Sequence, residues 1–414
     1  MNERADQREA EEEDGPNYLG VGIMASSLAL LAFGHFAAIQ PLFLCSAAVV
    51  ISLIIWQVCD PFADAAQWIG VTFRLPGSVR GATLDAIASS MPELFSGIFF
   101  VWVAISGVEN AQVQHEASAE GFGATLATCA GSAVYNMILI PAVCAIAISF
   151  WRKERPTIDV EKEVILRDGL WFMGCELILL AFLWSNQIHW WMGVVLMAAY
   201  FAYILHLYRD ARAYRQAKEL DEEDDELPES AAVFFGVFEI PLNSATAWLT
   251  ILLSTVLAAA ACYFLVDITN QTAELLEVPS FFVAVILAAA VSSVPDTFLS
   301  LGAATRGDDS GAVSNAFGSN IFDICICLSV PLLVGTYMNG WQPISLTEIN
   351  EAGQEVAMAG LVGLRILLWV LTLVTLLILW HKQQLTRRKA FVLCGLYLVF
   401  VGYAVLGSLG IMKL

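Results

Sequence analysis

Long apolar stretches divided by short polar loops constrain this chain more than any other feature of its sequence. Eleven such stretches, each about 20 residues or longer, follow residue 17, and that length lets an α-helix cross a bilayer. Hydrophobic residues make up 58% of the 414 residues and charged residues only 14%, too few to cover a water-soluble domain of this size. The apolar–polar alternation of membrane β-barrels is absent. The sequence therefore predicts an all-α polytopic membrane protein.

The predicted helices form one extra N-terminal span followed by two sets of five core transmembrane helices. Their approximate ranges are 18–37, 40–69, 77–107, 120–150, 168–186, 189–208, 245–275, 279–304, 310–337, 360–381 and 390–411. We expect four regions: an acidic tail with the extra helix at 1–38, a first half at 39–208, an acidic linker at 209–243, and a second half at 244–414.

Loops that carry Lys and Arg alternate with loops that have none, as expected for helices that cross a membrane one after another. Five basic residues lie in loop 151–168 and four in loop 382–389, whereas loops 108–119 and 338–359 have none. By the positive-inside rule, the N-terminus and the acidic linker are cytoplasmic and the C-terminus is outside. This pattern predicts a multi-pass protein of the plasma (inner) membrane.

The formal net charge of −20 comes largely from two acidic segments, at 1–14 and 219–229. The second has eight acidic residues in eleven and lacks the Gly turn of a calcium-binding EF-hand loop. Such compositions are typical of solvated, disordered segments, and they indicate no nucleic-acid partner. All nine cysteines lie in apolar stretches, which favours small buried residues over a disulfide framework or a zinc site.

Two pairs of motifs show that the second half repeats the first. Residues 88–95 read Ala-Ser-Ser-Met-Pro-Glu-Leu-Phe, and residues 291–298 read Val-Ser-Ser-Val-Pro-Asp-Thr-Phe. In the next predicted helix of each half, Gly-Ser-Ala-Val-Tyr-Asn at 131–136 matches Gly-Ser-Asn-Ile-Phe-Asp at 318–323. The loop charges place the two halves in opposite orientations. An inverted repeat with broken helices at matching positions is typical of a secondary transporter whose site lies at the membrane midplane.

Acidic residues fall in the middle of the repeated helices, where each costs roughly 2.5 kcal/mol or more unless it faces a polar interior. They are Glu93, Asp296 and Asp323. Pro92 and Pro295 each free a backbone carbonyl four residues earlier, and neighbouring serines add hydroxyl oxygens. This set of hard oxygen donors suits Na⁺, K⁺ or Ca²⁺, and three negative charges match three Na⁺, or one Ca²⁺ and one monovalent ion.

A single intramembrane Ser or Pro would indicate only a helix bend, but the whole set occurs twice. A different class, the intramembrane aspartyl proteases, would require a Gly-x-Gly-Asp motif, which the sequence lacks. We therefore expect a transporter and not an enzyme, with no cofactor.

These motifs resemble those of the calcium/cation antiporter superfamily, which comprises the sodium/calcium exchangers and their potassium-dependent relatives. The resemblance covers both halves, essentially everything after residue 40. It implies that the protein exchanges Na⁺ for Ca²⁺ by alternating access, with K⁺-dependent exchange or H⁺/Ca²⁺ antiport as alternatives. The acid at position 323 resembles the potassium-dependent and prokaryotic branches of the family more than the animal potassium-independent branch. Asp85 departs from the pattern, because the family usually has an apolar residue there.

The resemblance also implies the role of each matching residue. Glu93 and Asp296 correspond to the paired acids that bind calcium and sodium, and Asn136 and Asp323 to the amide and carboxylate of the following helices. The remaining implied ligands are hydroxyls and backbone carbonyls, at Ser89, Ser90, Ser292, Ser293, Ser132, Ser319, Ala86 and Ala289.

Overall fold

A computed structural model describes most of the chain. The described residues are 18–73, 75, 77–108, 110–152, 155–218, 231–349, 355–358 and 360–409. The acidic tail at 1–14 and the acidic run at 219–229, both expected to be disordered, lie outside the described residues.

The described chain is almost entirely helical, and helices occur at all eleven predicted positions. The α-helices are α1 (Tyr18–Phe36), α2 (Gln40–Thr72), α3 (Gly77–Arg80), α4 (Ala86–Ile105), α5 (Ala111–Val134), α6 (Ile140–Trp151), α7 (Lys162–Leu183), α8 (Trp190–Lys218), α9 (Ser244–Leu276), α10 (Ser280–Val283), α11 (Ala289–Ser292), α12 (Val294–Arg306), α13 (Asp309–Phe322), α14 (Ser329–Met338), α15 (Leu361–Trp380) and α16 (Arg387–Ser408). Four π-helical turns join some of them: π1 (Gly81–Asp85), π2 (Tyr135–Leu139), π3 (Ala284–Ala288) and π4 (Asp323–Cys327). A 3₁₀ turn, His381–Gln383, comes directly after α15.

Eight helical segments of the described chain are long and apolar enough to cross a membrane, and a ninth is the bent pair Ser280–Ser292 and Val294–Arg306. The other two predicted spans, α1 and α7, are helical but are not among these segments. In α7, Arg167, Asp168 and Glu176 reduce the hydropathy. The chain is a multi-pass membrane protein.

Short strand pairs hold together the loops at each end of the bundle. The strands are β1 (Ile158–Asp159), β2 (Gln187–Ile188), β3 (Ala231–Phe234), β4 (Phe238–Pro241), β5 (Ile344–Ser345), β6 (Thr347–Ile349), β7 (Glu355–Ala357) and β8 (Gln384–Leu385). β1 pairs with β8 and β2 with β5, both antiparallel, while β3–β4 and β6–β7 are hairpins. The β1–β8 pair joins two Lys/Arg-rich loops and the β2–β5 pair joins two loops without Lys or Arg. The predicted alternation of the loops between two sides is therefore present.

We call the end with the β1–β8 pair the linker side and the other end the far side. The two longest helices, α2 and α9, each 33 residues, pack against each other. The segments α3–α4, α5–α6, α10–α12 and α13–α14 contact one another and form the centre of the bundle. α7 packs against α13 and α15, and α16 packs against α6.

Polar contacts fix the outer helices to the central ones. Asp168 on α7 is fully buried and accepts hydrogen bonds from the Arg167 guanidinium, the Tyr203 hydroxyl and the Ser314 hydroxyl, which joins α7, α8 and α13. On the linker side, Arg152 forms an ion pair with Asp309 at 2.7 Å. These contacts satisfy buried charges, which would otherwise be costly in a low-dielectric interior.

Candidate functional site

The three predicted acids lie together in the centre of the bundle, and each is fully buried. Glu93 comes from α4, Asp296 from the first turn of α12 and Asp323 from the first position of π4. The other residues of the predicted site are buried as well, none more than 1% exposed: Ala86, Ser89, Ser90, Ser132, Asn136, Ala289, Ser292, Ser293 and Ser319. The fold therefore brings both copies of the repeated motif into one buried polar region.

The Ser132 hydroxyl connects the two halves. It lies 2.9 Å from Glu93 Oε1, 2.9 Å from Ser293 Oγ and 3.2 Å from Asp323 Oδ2. Ser293 Oγ is in turn 3.5 Å from Glu93 Oε1. One hydroxyl has a single hydrogen, so Ser132 donates to only one carboxylate at a time. Whichever of the Glu93 and Asp323 carboxylates does not receive this hydrogen needs a proton or a cation to offset its charge beside the Ser132 oxygen.

The Asn136 amide makes the equivalent connection to the third acid. Its Nδ2 donates to Asp296 Oδ2 at 3.0 Å and to the Ser319 hydroxyl at 3.3 Å, and it lies 3.4 Å from Ser132 Oγ. Asn136 therefore links Asp296 of the second half to Ser132 of the first half.

Several oxygen atoms of this region are buried without a hydrogen-bond partner in the part of the chain that the structure describes. Each acid has one such carboxylate oxygen, and the Ser90 hydroxyl and the Asn136 carbonyl add two more: the set is Glu93 Oε2, Asp296 Oδ1, Asp323 Oδ1, Ser90 Oγ and Asn136 Oδ1. Five bare oxygens in one buried region are costly unless a cation or a proton binds to them.

No basic side chain that the structure describes neutralises the charge around these acids. Arg80 is the one buried Lys or Arg among the described residues, and it faces Asp85 on π1. Within the same residues, no three His, Cys, Asp or Glu side chains are arranged to hold a metal ion between them. A cation here would be held by a mixture of carboxylate, hydroxyl, amide and backbone oxygens, which suits Na⁺, K⁺ and Ca²⁺.

π-helical turns occur at matching positions of the two halves. π1 and π3 directly precede Ala86 and Ala289, while π2 contains Asn136 and π4 begins at Asp323. Each π turn adds a residue to the helix and rotates the residues after it, and such turns are frequent at functional sites. The sequence does not predict these turns, because no residue pattern in them indicates one.

The two Pro motifs differ, which corrects the expectation that both helices are broken. α4 runs through Pro92 without interruption, whereas the second motif bends by 41° at Ser293, between α11 and α12. The break suits Pro295, because it places this residue in the first turn of α12, where its missing N–H costs nothing.

The predicted carbonyl ligands are partly engaged within their own helices. The Ala289 carbonyl accepts from the Ser293 N–H at 3.1 Å and from the Ser292 hydroxyl at 3.2 Å. The Ala86 carbonyl lies 3.5 Å from the Ser89 hydroxyl. These local bonds hold Ser89 and Ser292 against the carbonyls that the sequence assigned to the same site.

Three residues outside the predicted set also belong to this region. The thiols of Cys262 on α9 and Cys327 on π4 lie 3.5 Å and 3.4 Å from the carbonyls of Pro92 and Ser90. Asn315 on α13 lies beside Asp296 and donates to the Ser300 hydroxyl at 3.1 Å. An isolated Cys in an apolar helix gives no signal that would have selected it from the sequence, whereas Asn315 lies on a polar helix, one turn before the predicted residue Ser319.

A cavity opens on each side of the central region. The linker-side cavity has a volume of about 720 Å³ and is lined by Asp60, Asp64, Asp85 and the stacked rings of Trp56 and Phe298, whose centroids are 3.8 Å apart. Asp85 accepts a hydrogen bond from the Gln67 amide at 2.5 Å. The far-side cavity, of about 360 Å³, is lined by residues of α4, α5 and α9.

Fold and site together define a multi-pass helical membrane transporter built from two related halves. The family model described as sodium/calcium exchanger protein matches residues 43–209 and 246–406. The chain therefore belongs to the sodium/calcium exchanger protein family, which is a family of transporters and not of enzymes.

Similar curated proteins include the human sodium/potassium/calcium exchanger 5, which is 24% identical over 384 residues, or 72% of this chain and 70% of that protein. The mouse sodium/potassium/calcium exchanger 4 is 30% identical over 155 residues, which are 36% of this chain and 20% of that protein. This chain therefore matches only about a fifth of the length of that relative.

Similar solved structures agree with the fold. The H⁺/Ca²⁺ exchanger CAX has a TM-score of 0.63 at 13% identity, covering 96% of this chain and 93% of that chain. The sodium-calcium exchanger NCX_Mj has a TM-score of 0.51 at 20% identity, covering 87% of this chain and 98% of that chain. At these identities the likeness establishes a shared helical antiporter fold and no more.

Proposed function

We propose that this protein is an antiporter that exchanges Na⁺ for Ca²⁺ at the buried site between its two halves. One observation carries the proposal: three buried acids, contributed by both halves, each keep a carboxylate oxygen without a partner among the described residues, and no described Lys or Arg neutralises them. Family membership supports the same conclusion. Mobile cations supply the missing charge, and the ion that occupies the site decides which exchange step comes next.

The proposed ligands are those that the family resemblance implies. The carboxylates of Glu93, Asp296 and Asp323 and the amide of Asn136 form the centre. Hydroxyls and backbone carbonyls complete the ion shells: Ser89, Ser90, Ser132, Ser292, Ser293, Ser319, Ala86 and Ala289. Ser132 contacts two of the three acids, so a divalent ion bound there would draw both halves together.

Alternating access is the proposed transport cycle. The α2–α9 pair contacts the central segments from outside and would slide across them, opening the site to the two cavities in turn. The two halves, 39–208 and 244–414, would then be the units of the inverted repeat. The regions 1–38 and 209–243 would be the tail with its extra helix and the linker.

A second candidate is K⁺-dependent Na⁺/Ca²⁺ exchange. Two observations favour it: the similar curated proteins are sodium/potassium/calcium exchangers, and Asp323 supplies a third carboxylate where the first half has only Asn136. H⁺/Ca²⁺ antiport has weaker support, because the likeness to CAX is one of fold.

Reconstitution into proteoliposomes tests the proposal. We expect an imposed Na⁺ gradient to drive ⁴⁵Ca²⁺ uptake, and we expect K⁺ on the side that holds Ca²⁺ to increase that uptake if K⁺ is co-transported. A pH gradient without Na⁺ should drive none. If Ca²⁺ flux is independent of the Na⁺ gradient and depends on the pH gradient, the protein is an H⁺/Ca²⁺ antiporter and the proposal is wrong.

The variant Glu93→Gln tests the site itself. Loss of one charged ligand should reduce Na⁺-driven uptake at least about tenfold, because an interaction with a charged group is worth about 1.5–3 kcal/mol. The matched control is Asp210→Asn, since the Asp210 side chain is 51% exposed on α8 and remote from the site. If both variants transport like the wild type, Glu93 is not a ligand.

We further propose that the linker and the N-terminus are cytoplasmic, the C-terminus is outside, and the membrane is the plasma (inner) membrane. The Lys/Arg-rich loops joined by β1 and β8 support this orientation. An epitope inserted at the linker should be reached by antibody only after the cells are permeabilised, and one after residue 414 should be reached in intact cells. The reverse pattern would invert the topology.

A further inference from the structure

A fourth buried acid lies outside the ion site. Glu176 is on α7, fully buried, and faces α15. Its Oε1 is 2.6 Å from the hydroxyl of Thr372, and its Oε2 has no hydrogen-bond partner in the described part of the chain. No residue of the proposed ion site contacts it through a described hydrogen bond. Neither the repeat nor the proposed transport chemistry assigns it a role.

Thr372 has one hydroxyl hydrogen for two oxygen neighbours, so the protonation of Glu176 decides which contacts can be hydrogen bonds at once. Thr372 Oγ lies 2.6 Å from the Glu176 carboxyl and 3.0 Å from the Leu368 carbonyl one turn earlier. The Leu368 carbonyl can only accept, and the Thr372 hydroxyl has one hydrogen. If that hydrogen goes to Leu368, the hydrogen of the 2.6 Å contact belongs to Glu176. The geometry fits a chain in which a protonated Glu176 donates to Thr372, and Thr372 donates to Leu368.

The surroundings of Glu176 also fit a neutral carboxyl. The titratable and charged side chains described on the elements packed against it are engaged elsewhere: Asp168 accepts from Arg167 and Tyr203, Cys325 contacts Cys175, and Asp323 contacts Ser132. Among the described side chains, the titratable neighbour that acts on it electrostatically is Cys175, the preceding residue of α7. Arg365 lies on α15 seven positions before Thr372, which is two helical turns away. Thr375 Oγ, one turn beyond Thr372, is buried and has no partner among the described residues.

We propose that Glu176 and Thr372 form a proton-binding site, separate from the ion site, that holds α7 against α15. Loss of the proton would place a bare carboxylate in this apolar interface and push the two helices apart. Cys175 contacts Cys325 on π4, the turn that begins at Asp323, so a displaced α7 also disturbs one wall of the ion site. Ion exchange should therefore fall as the pH rises, whichever cations are exchanged.

Infrared difference spectroscopy tests the proton directly and does not depend on transport. With saturating Ca²⁺ at neutral pH, wild type minus Glu176→Gln should show the C=O stretch of a protonated carboxylic acid, shifted by D₂O. The exposed acid Glu116 on α5 provides the control, because wild type minus Glu116→Gln should show only carboxylate bands. A spectrum for Glu176 that contains only carboxylate bands would overturn the proposal.

A second variant and a transport readout separate this site from a merely structural contact. Thr372→Val removes the acceptor and should move the protonated C=O band without abolishing it, so it also serves if Glu176→Gln does not fold. Wild-type exchange should fall severalfold at alkaline pH, while Glu176→Gln, which cannot ionise, should stay within about twofold of its neutral rate. Parallel pH profiles for wild type and Glu176→Gln would contradict the coupling to transport.

Discussion

At the scale of single residues, hydroxyl and amide groups join the two halves of the site by contacting the acids of both. Ser132 contacts Glu93, Ser293 and Asp323, while Asn136 contacts Asp296. A hydroxyl can donate or accept, so Ser132 can serve a site occupied by different cations in turn. In the proposed exchanger, this neutral connection would leave the charge of the acids to be balanced by the transported ions.

Gly131 and Gly318 stand at matching positions of the repeat but in different surroundings. A Cβ on Gly131 would lie 2.2 Å from the Val285 carbonyl oxygen and 2.7 Å from the Ala289 Cβ, whereas a Cβ on Gly318 would meet no atom within 4 Å. We expect Gly131→Ala to lower the free energy of unfolding by about 1–3 kcal/mol, as overpacking does, and Gly318→Ala to leave it nearly unchanged. Thermal unfolding in detergent measures both.

The same glycine pair offers a transport readout. The atoms that Gly131→Ala would displace belong to π3 and to Ala289, beside Ser292 and Ser293, so its Ca²⁺ affinity should also fall. Equal melting temperatures and equal affinities for the two alanine variants would show that the close approach at Gly131 has no consequence.

The sequence predicts the members of the site but not their contacts. Glu93, Asp296 and Asp323 are recognisable because they lie in a duplicated pattern within apolar helices. Glu176 lies in the same kind of helix without a repeat partner, and nothing in the sequence shows that Thr372, 196 residues later, donates or accepts beside it. The duplicated pattern therefore identifies candidate site residues, but the contacts between distant helices can be seen only in the structure.

At the scale of helices, the predicted positions were accurate because hydropathy fixes the length of a membrane span. The local shape of those helices was not predictable in the same way. Pro92 and Pro295 occur in nearly identical motifs, yet only the second helix bends. The difference arises at Ser293, where the chain has ψ near 3° and α12 starts anew. A bend of this kind depends on the neighbouring helices, which a local motif does not contain.

At the scale of the whole molecule, the loop charges predicted which loops share a side, and the β1–β8 and β2–β5 pairs agree. The loop charges could not predict that α2 and α9, 204 positions apart at their first residues, pack along each other. Those helices begin the two halves, so the pair joins the repeats along one flank of the bundle. The α2–α9 pair is therefore distinct from the central segments that hold the acids, and it is our candidate for the part that moves during transport.

Cross-linking tests whether the α2–α9 pair moves as one body against the centre. Trp56 on α2 stacks on Phe298 on α12 across the proposed sliding surface, whereas Ala65 on α2 and Ala247 on α9 lie in one apolar cluster within the pair. A reducible bifunctional thiol reagent that links Trp56→Cys to Phe298→Cys should stop Na⁺-driven ⁴⁵Ca²⁺ uptake while Ca²⁺ binding persists, and a reducing agent should restore uptake.

The same reagent on the double variant Ala65→Cys, Ala247→Cys should leave uptake within about twofold, because two helices that move together do not change their separation. Both experiments use a background in which the native cysteines are replaced, since nine are present and reagents would label them. Transport that continues across the Trp56–Phe298 link would mean that α2 stays fixed to α12 throughout the cycle. The moving body would then have to be sought among the central segments, and the two cavities would open by bending at Ser293 instead of by sliding.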